Sequence, residues 1–296
     1  MTRRDAESML VAANDRDQIH LRHFSGGSRH TTVVLLHGLG QDGSLYFNDP
    51  QSLAPKLVQA GFDVWVPDLR GRGRSWPALA AGDDHGFHAA VTEDLATVLG
   101  VLREEAPDKP LYLVGHGSGG LLWLSVLARW PVVREMVRGI VLLGSAVGRE
   151  PARGLHWHWR AGLRADWSAR RHGLVSGAAL GLGEGNEPVR FYRDLRAILD
   201  GNWVDPQDGL DHAAQLRELP DWPATLILAA ELDAPWSGGE SARALQALLP
   251  PHDGRLYIFP ADTGVRLLGA DTALAGGAGA REVETLVLDW LALFDG

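Results

Sequence analysis

The chain has 296 residues, a formal net charge of −9 and no cysteine. Its length suits one large domain with a full hydrophobic core, with or without an insertion. The absence of cysteine excludes disulfides, thiolate metal ligands and a cysteine nucleophile, and the acidic balance argues against a nucleic-acid partner, because binding to phosphates needs a dominant basic face. The N-terminal MTRRDAESML has no apolar signal-peptide core, and no apolar run is long enough to cross a bilayer. We therefore expect a cytoplasmic protein without a membrane span.

Short apolar runs alternate with helical patterns along the chain, which predicts an α/β fold with parallel strands joined by crossover helices. The predicted strands are Met9–Ala13, Ile19–Phe24, Thr32–Leu36, Val64–Pro67, Leu111–Val114, Ile140–Leu143, Thr225–Ala229 and Arg255–Phe259, the first two forming a hairpin that turns at Asn14-Asp15. The predicted helices are Pro50–Ala60, His88–Glu105, Gly120–Arg129, Gly239–Leu249 and Arg281–Phe294.

This regular spacing fails from residue 148 to residue 219, because roughly seventy residues there exceed a simple crossover. We predict an inserted helical lid at 148–219 and a core domain made of 1–147 and 220–296. The lid carries the Gly-rich LGLGEGNEP at 180–188. Its Trp157, Trp159 and Trp203 are candidates for a pocket wall, although packing of the lid on the core explains them equally well, and Trp236 is a candidate for the pocket mouth.

Four motifs include or follow the ends of predicted strands: HGLG at 37–40, PDLRGRGRS at 67–75, GHGSGG at 115–120 and LILAAELD at 226–233. In this order and spacing they resemble the α/β-hydrolase superfamily, particularly its capped esterases and monoacylglycerol-lipase-like members. The resemblance implies a mostly parallel sheet of about eight strands, flanked by helices, with the lid inserted where the family has its cap. It also implies that HGLG is an oxyanion-hole loop, GHGSGG a nucleophile elbow and Asp233 the acid of a catalytic triad.

The elbow lacks its serine when the motif is aligned on its glycines. G-x-S-x-G needs small residues two positions before and after the nucleophile, because backbones approach closely there. The glycines of GHGSG fit these flanks and put Gly117 at the nucleophile position. The backbone N–H groups of Ser118 and Leu39 would then form the oxyanion hole. A register shifted by one residue would instead make Ser118 the nucleophile and put His116 where a small side chain is needed.

The position of the triad base is also substituted. Counted from the last strand, RLYIFP at 255–260, the resemblance puts the base at Val265. No histidine follows His252, which precedes that strand and would lie at the opposite end of the sheet. Asp233 would keep its place without a histidine to orient.

These observations leave three functions open. The first is a cofactor-independent enzyme, non-hydrolytic or substrate-assisted, which binds the carbonyl of a hydrophobic small molecule and uses Asp233, His116 or His37 for acid–base chemistry. The second is a ligand-binding pseudoenzyme, and the third is a serine esterase that uses Ser118 in the shifted register.

Two further patterns point to no cofactor and no metal. GHGSGG also satisfies the dinucleotide fingerprint G-x-G-x-x-G, but the next strand ends at Leu143-Gly144-Ser145, without the carboxylate that would hold a ribose. His156 and His158 have the spacing of a metal pair on a strand, but the sequence places no third ligand beside them. The partner we expect is a hydrophobic small molecule; the oligomeric state is not indicated.

Overall fold

A computed structural model describes residues 6–26, 29–107, 109–148, 154–234, 236–269 and 271–294, without the side chains of 154–159. The strands in these ranges are β1 Ala6–Ala12, β2 Gln18–Phe24, β3 Thr32–Leu36, β4 Asp63–Asp68, β5 Leu111–His116, β6 Val137–Leu143, β7 Leu174–Ser176, β8 Asn186–Pro188, β9 Ala224–Ala230 and β10 Gly254–Phe259. The helices are α1 Leu53–Gln59, α2 Phe87–Ala89, α3 Leu95–Glu105, α4 Ser118–Arg129, α5 Pro131–Met136, α6 Gly154–His172, α7 Gly177–Leu180, α8 Val189–Leu199, α9 His212–Glu218, α10 Gly239–Leu248 and α11 Ala280–Leu293. A π-helical turn, Ala90–Asp94, joins α2 to α3.

Eight strands form one sheet in the order β1-β2-β4-β3-β5-β6-β9-β10. The pairs β1–β2 and β2–β4 are antiparallel, and the remaining pairs are parallel. The predicted hairpin and the mostly parallel eight-stranded sheet are therefore confirmed. Every predicted strand overlaps an observed one, and Thr32–Leu36 matches end to end.

The central strands are buried along their whole length because helices cover both faces of the sheet. Successive residues of β3 alternate between two hydrophobic clusters, as the two-residue period of a strand requires. Val34 and Leu36 join the cluster around α3 and α4, which we call the α4-side core. Val33 and Leu35 join the cluster around α1 and α11, which we call the α11-side core. The continuous apolar run TVVLL is the sequence pattern of a strand buried on both faces.

Residues 154–218 lie between β6 and β9 along the chain, and we call them the insertion. It consists of α6, the antiparallel pair β7–β8, and α7, α8 and α9. Ala161 of α6 and Leu195 of α8 belong to the α4-side core, so the insertion packs on the same face of the sheet as α4. None of the helices in the described ranges combines the length and apolar composition needed to span a membrane.

Candidate functional site

The turn between β5 and α4 is the sharpest feature of the site. Gly117 stands at its apex with φ +51° and ψ −118°, a conformation that L side chains rarely adopt. The flanking glycines are required by close contacts: a Cβ on Gly115 would lie 2.4 Å from the Cα of Gly120, and a Cβ on Gly119 would lie 2.5 Å from the carbonyl oxygen of His37. The apex of this strand-to-helix turn, where an L side chain would be strained, is thus occupied by Gly117, which has none.

Ser118 begins α4, one residue past the apex. Its hydroxyl is buried and has no hydrogen-bond partner among the described residues. The first N–H groups of a helix have no acceptor within the helix, so the N–H of Ser118 can serve an oxygen in the adjacent cavity, which Leu39 also lines. The helical position of Ser118 argues against the shifted register, because the strained apex belongs to its neighbour.

Leu268, on the loop that Asp233 contacts, is the residue that lies beside Gly117. Counting residues from the last strand instead placed Val265 there. A Cβ on Gly117 would lie 3.4 Å from Cδ2 of Leu268. Val265 is fully buried in the α11-side core, where it packs against Gly279. A 3₁₀ turn and Gly264, with φ +73°, redirect the chain between β10 and these residues. Leu268 rather than Val265 therefore lies beside Gly117, and neither side chain can accept a proton.

Asp233 lies in the 3₁₀ turn after β9 and is held by the loop that carries Leu268. Its Oδ2 accepts the N–H groups of Leu267 at 2.7 Å and Leu268 at 3.2 Å. Its Oδ1 is buried without a partner in the described part of the chain. Burial raises the pKa of this carboxyl to about 7, against the lowering effect of the two N–H groups. Leu268 lines the cavity next to the elbow and Asp233 does not, so the carboxyl organises a loop behind that cavity.

The two candidate histidines differ in what their rings contact. His37 accepts the N–H of Leu69 on Nε2 at 3.1 Å and places Nδ1 3.1 Å from the carbonyl oxygen of Gly38, so both ring nitrogens are engaged with backbone. His37 does not line the cavity; burial lowers its pKa. His116 does line it, donates from Nε2 to the carbonyl oxygen of Leu267 at 2.7 Å, and has a buried Nδ1 without a partner among the described residues. Burial lowers the pKa of His116 to about 4, so the ring is neutral near pH 7.

A small apolar cavity of about 40 Å³ lies between the elbow and the insertion. The core contributes the turn between β5 and α4 and the loops around that turn, and the insertion contributes three leucines. The lining residues are Leu39, His116, Gly117, Ser118, Leu121, Gly144, Ala146, Leu182, Leu195, Leu199, Trp236 and Leu268. A space of this size holds only a few water molecules.

The tryptophans predicted for the pocket differ in whether they line the cavity. Trp236 lines the cavity. Trp203 does not; it is buried and donates from Nε1 to the hydroxyl of Ser125 on α4 at 3.2 Å, so it packs the insertion on the core. The side chains of Trp157 and Trp159, like those of His156 and His158, lie outside the described part of the structure.

Glu187, which no sequence pattern singled out, fastens the insertion to the HGLG loop at 37–40. Its Oε1 accepts the N–H of Gly40 at 2.7 Å, and its Oε2 pairs with the guanidinium of Arg72. Both charged side chains are almost fully buried. Each residue is one of two candidates in its segment, two acids in LGLGEGNEP and two arginines in GRGRS, and no periodicity links the segments.

One group of potential metal ligands occurs among the described residues, and none of its members lines the cavity. A ligand atom of each of His88, Asp205 and Asp208 lies within 4.8 Å of the others. The guanidinium of Arg129 already pairs with Asp205 at 2.8 Å and with Asp208. This cation already occupies both carboxylates, so we assign no metal there.

Comparison with known proteins identifies the family. The model of the alpha/beta hydrolase fold family matches residues 31–226, about two thirds of the chain. The chain belongs to this family. Among curated proteins it is 34% identical over 119 residues to triacylglycerol lipase 1 of Arabidopsis thaliana, covering 38% of this chain and 30% of the relative. It is 30% identical over 142 residues to a 2-hydroxy-6-oxononadienedioate/2-hydroxy-6-oxononatrienedioate hydrolase of Pseudomonas putida, covering 48% and 46%. The matches thus span less than half of each relative.

Solved structures agree on the fold. A soluble variant of monoglyceride lipase from Saccharomyces cerevisiae superposes with a TM-score of 0.70 at 16% identity, covering 97% of this chain and 94% of that one. A thermostable carboxyl esterase from Bacillus coagulans gives a TM-score of 0.66 at 15% identity, covering 98% and 99%. At these identities the likeness establishes the α/β-hydrolase fold.

Proposed function

We propose that this protein binds a small apolar molecule carrying a carbonyl group in the cavity between elbow and insertion, and that it does not cleave esters through a serine. One observation carries the proposal: the apex of the elbow is Gly117, with the aliphatic side chain of Leu268 against it. Nucleophilic ester hydrolysis needs a hydroxyl at the first position and a base at the second.

The composition of the cavity supports the choice of ligand. Aliphatic side chains dominate its wall, which favours an apolar body. The backbone N–H groups of Leu39 and Ser118 are the donors that a carbonyl oxygen would use. Access for anything larger than water requires the insertion leucines Leu182, Leu195 and Leu199 to move, so we expect the ligand to bind with a change in the insertion.

A second candidate function is a cofactor-independent enzyme that uses His116. Its support is the unpartnered Nδ1 of a residue that lines the cavity. The low pKa of this ring makes it a weak base near pH 7, so its natural task is to accept a hydrogen bond from a ligand hydroxyl. Turnover that disappears in His116→Ala but survives in Asp233→Asn would favour this candidate over a purely binding function.

The first test combines covalent labelling with ligand titration. A fluorophosphonate probe is expected to leave the wild-type chain unlabelled. Short methyl ketones are expected to bind about tenfold more tightly than alkanes of the same length, because the carbonyl gains hydrogen bonds that the alkane lacks. Titration calorimetry would measure both series.

A cavity-filling variant provides the control. Ala146 lines the cavity, so Ala146→Leu is expected to abolish ketone binding. Ala244→Leu makes the same change at an exposed position of α10 and is expected to leave binding unaltered. Labelling of Ser118 in the wild-type protein, or equal affinity for ketones and alkanes, would refute the proposal.

A further inference from the structure

The outer face of α6 exposes two large apolar side chains. Leu163 is 49% exposed and Trp167 is 64% exposed, and the four-residue spacing puts them side by side on the helix. On the opposite side of the helix, Ala161 and Ala165 are buried in the α4-side core. The helix is therefore anchored through its small residues, while a leucine and a tryptophan face solvent.

Arginines surround this apolar pair. Helix α6 carries four arginines and a single acid, Asp166, in a chain whose formal net charge is −9. At 100° per residue, the four arginines fall within about one third of the helix circumference, centred on Trp167. The exposed residues of this α6 outer face are Arg160, Leu163, Arg164, Trp167, Arg170 and Arg171.

The α6 outer face lies over the cavity wall. A second, smaller hollow is lined by Ala161 of α6 and by Tyr192, Leu195 and Leu199 of α8, and it shares Trp236 with the main cavity. The helix that presents the exposed tryptophan thus also forms part of the wall through which a ligand would pass.

We propose that the α6 outer face docks on an anionic membrane surface, with Leu163 and Trp167 inserted at the headgroup boundary and the arginines bound to lipid phosphates. Trp and Leu side chains can insert at the headgroup boundary while neighbouring arginines on the same exposed face bind anionic lipid headgroups. Docking requires only this face, so it does not depend on the ligand or chemistry proposed for the cavity.

The charges and the size of the patch favour a lipid surface over other partners. At short range the basic face is attracted to an anionic bilayer. The net charge of −9 argues against a nucleic-acid partner, which needs a dominant basic face. Two apolar side chains on one helix contribute far less than the roughly 800 Å² per partner that a stable dimer buries. A bilayer needs no such complementary shape.

Vesicle co-sedimentation tests the proposal with the full chain. We expect binding to vesicles that contain phosphatidylserine, little binding to pure phosphatidylcholine vesicles, and loss of binding as salt shortens the Debye length from about 10 Å to about 3 Å. Arg164→Gln with Arg171→Gln should reduce the partition coefficient about 25-fold, since each arginine near the surface contributes about fivefold. Arg103→Gln, at an exposed position of α3, is the matched control.

Entry of Leu163 and Trp167 into the bilayer can be measured with one attached dye, because the chain has no cysteine of its own. Leu163→Cys carrying an environment-sensitive dye is expected to shift its emission to the blue on anionic vesicles. Val132→Cys, at a 63% exposed position of α5, is expected not to shift. Trp167→Ser should weaken sedimentation, whereas Trp76→Ser, at a 60% exposed position outside α6, should not.

Several outcomes would overturn the proposal. These are equal binding to neutral and anionic vesicles, no emission shift at position 163, or a loss of binding that Trp76→Ser reproduces. Dimerisation without vesicles that Trp167→Ser abolishes would assign the face to a second copy of the chain. Protection of the dye by duplex DNA, with no response to vesicles, would assign it to nucleic acid.

Discussion

Restoring a nucleophile and a base is the sharpest test of how the elbow is aligned. The change is Gly117→Ser together with Leu268→His. The second substitution also removes the methyl group that lies 3.4 Å from the position of the new Cβ. Asp233 already contacts the backbone of residue 268 through its Oδ2, so a histidine there has an acid within reach. We expect the double variant to hydrolyse short activated esters.

The size of the effect can be estimated from the structure. Serine at φ +51° costs about 1–2 kcal/mol of stability, because a Cβ crowds the carbonyl in the left-handed region. Gly117→Ser alone has no base and should show little turnover. A positioned general base contributes about 10²–10⁴-fold, and the double variant should exceed the single one by that factor. Adding Asp233→Asn should remove most of the gain.

The matched control uses the position that sequence counting favoured. Val265 is fully buried in the α11-side core, on the far side of the sheet from Leu121 and the cavity. Gly117→Ser with Val265→His is therefore expected to gain no activity and to lose stability. Initial rates on p-nitrophenyl acetate, with circular dichroism to verify folding, would measure both pairs. A folded Leu268→His pair that stays inactive, or an active Val265→His pair, would refute the assignment.

Three further predictions concern stability. Glu187→Ala should lower the free energy of unfolding in urea by about 3–5 kcal/mol, because it leaves the buried guanidinium of Arg72 without its ion-pair partner. Replacing both residues by methionine should recover most of the loss. No recovery would contradict the reasoning. Between about pH 4 and pH 7, Asp233 keeps its proton in the folded chain and loses it in the unfolded chain, so the free energy of unfolding falls by about 4 kcal/mol as pH rises through that window. Asp233→Asn should remove this pH dependence of the free energy of unfolding. An unchanged dependence would show that another group causes it. Gly183→Ala should lower the melting temperature, because its Cβ would lie 2.1 Å from a carbonyl oxygen, whereas Gly100→Ala, in open space on α3, should not.

Most of the core architecture could be predicted from the sequence because it obeys local rules. Strands such as Thr32–Leu36 are buried on both faces, so their apolar runs are unbroken and their ends are visible. The positions of the elbow glycines could be predicted equally well, because their close contacts leave no room for a Cβ and so require glycine. The short helix Pro131–Met136 was missed because it has too few residues for a periodic pattern.

The side chain that lies beside Gly117 could not be found by counting along the sequence, because it depends on the path of a loop. After Phe259 the chain forms a 3₁₀ turn and then passes through Gly264 in the left-handed region. This path sends Val265 into the α11-side core and brings Leu268 to the elbow three residues later. A residue count from the strand end assumes a regular loop, and hydrophobicity cannot distinguish a buried valine from a buried leucine.

The insertion and the HGLG loop at 37–40 are expected to move together, because their contacts use backbone groups of the loop itself. Gly40 donates its N–H to Glu187 and accepts the N–H of Gly185 on its carbonyl oxygen at 2.8 Å. The neighbouring Leu39 carries one of the two backbone N–H groups that we propose as donors to a carbonyl ligand. If the insertion moves away to admit a ligand, Gly40 loses its hydrogen bonds to Glu187 and Gly185. The backbone N–H of Leu39 next to it is then held less firmly in place. A ligand bound in the cavity would therefore stabilise the closed insertion, and Glu187→Ala should weaken ketone binding even though Glu187 does not line the cavity.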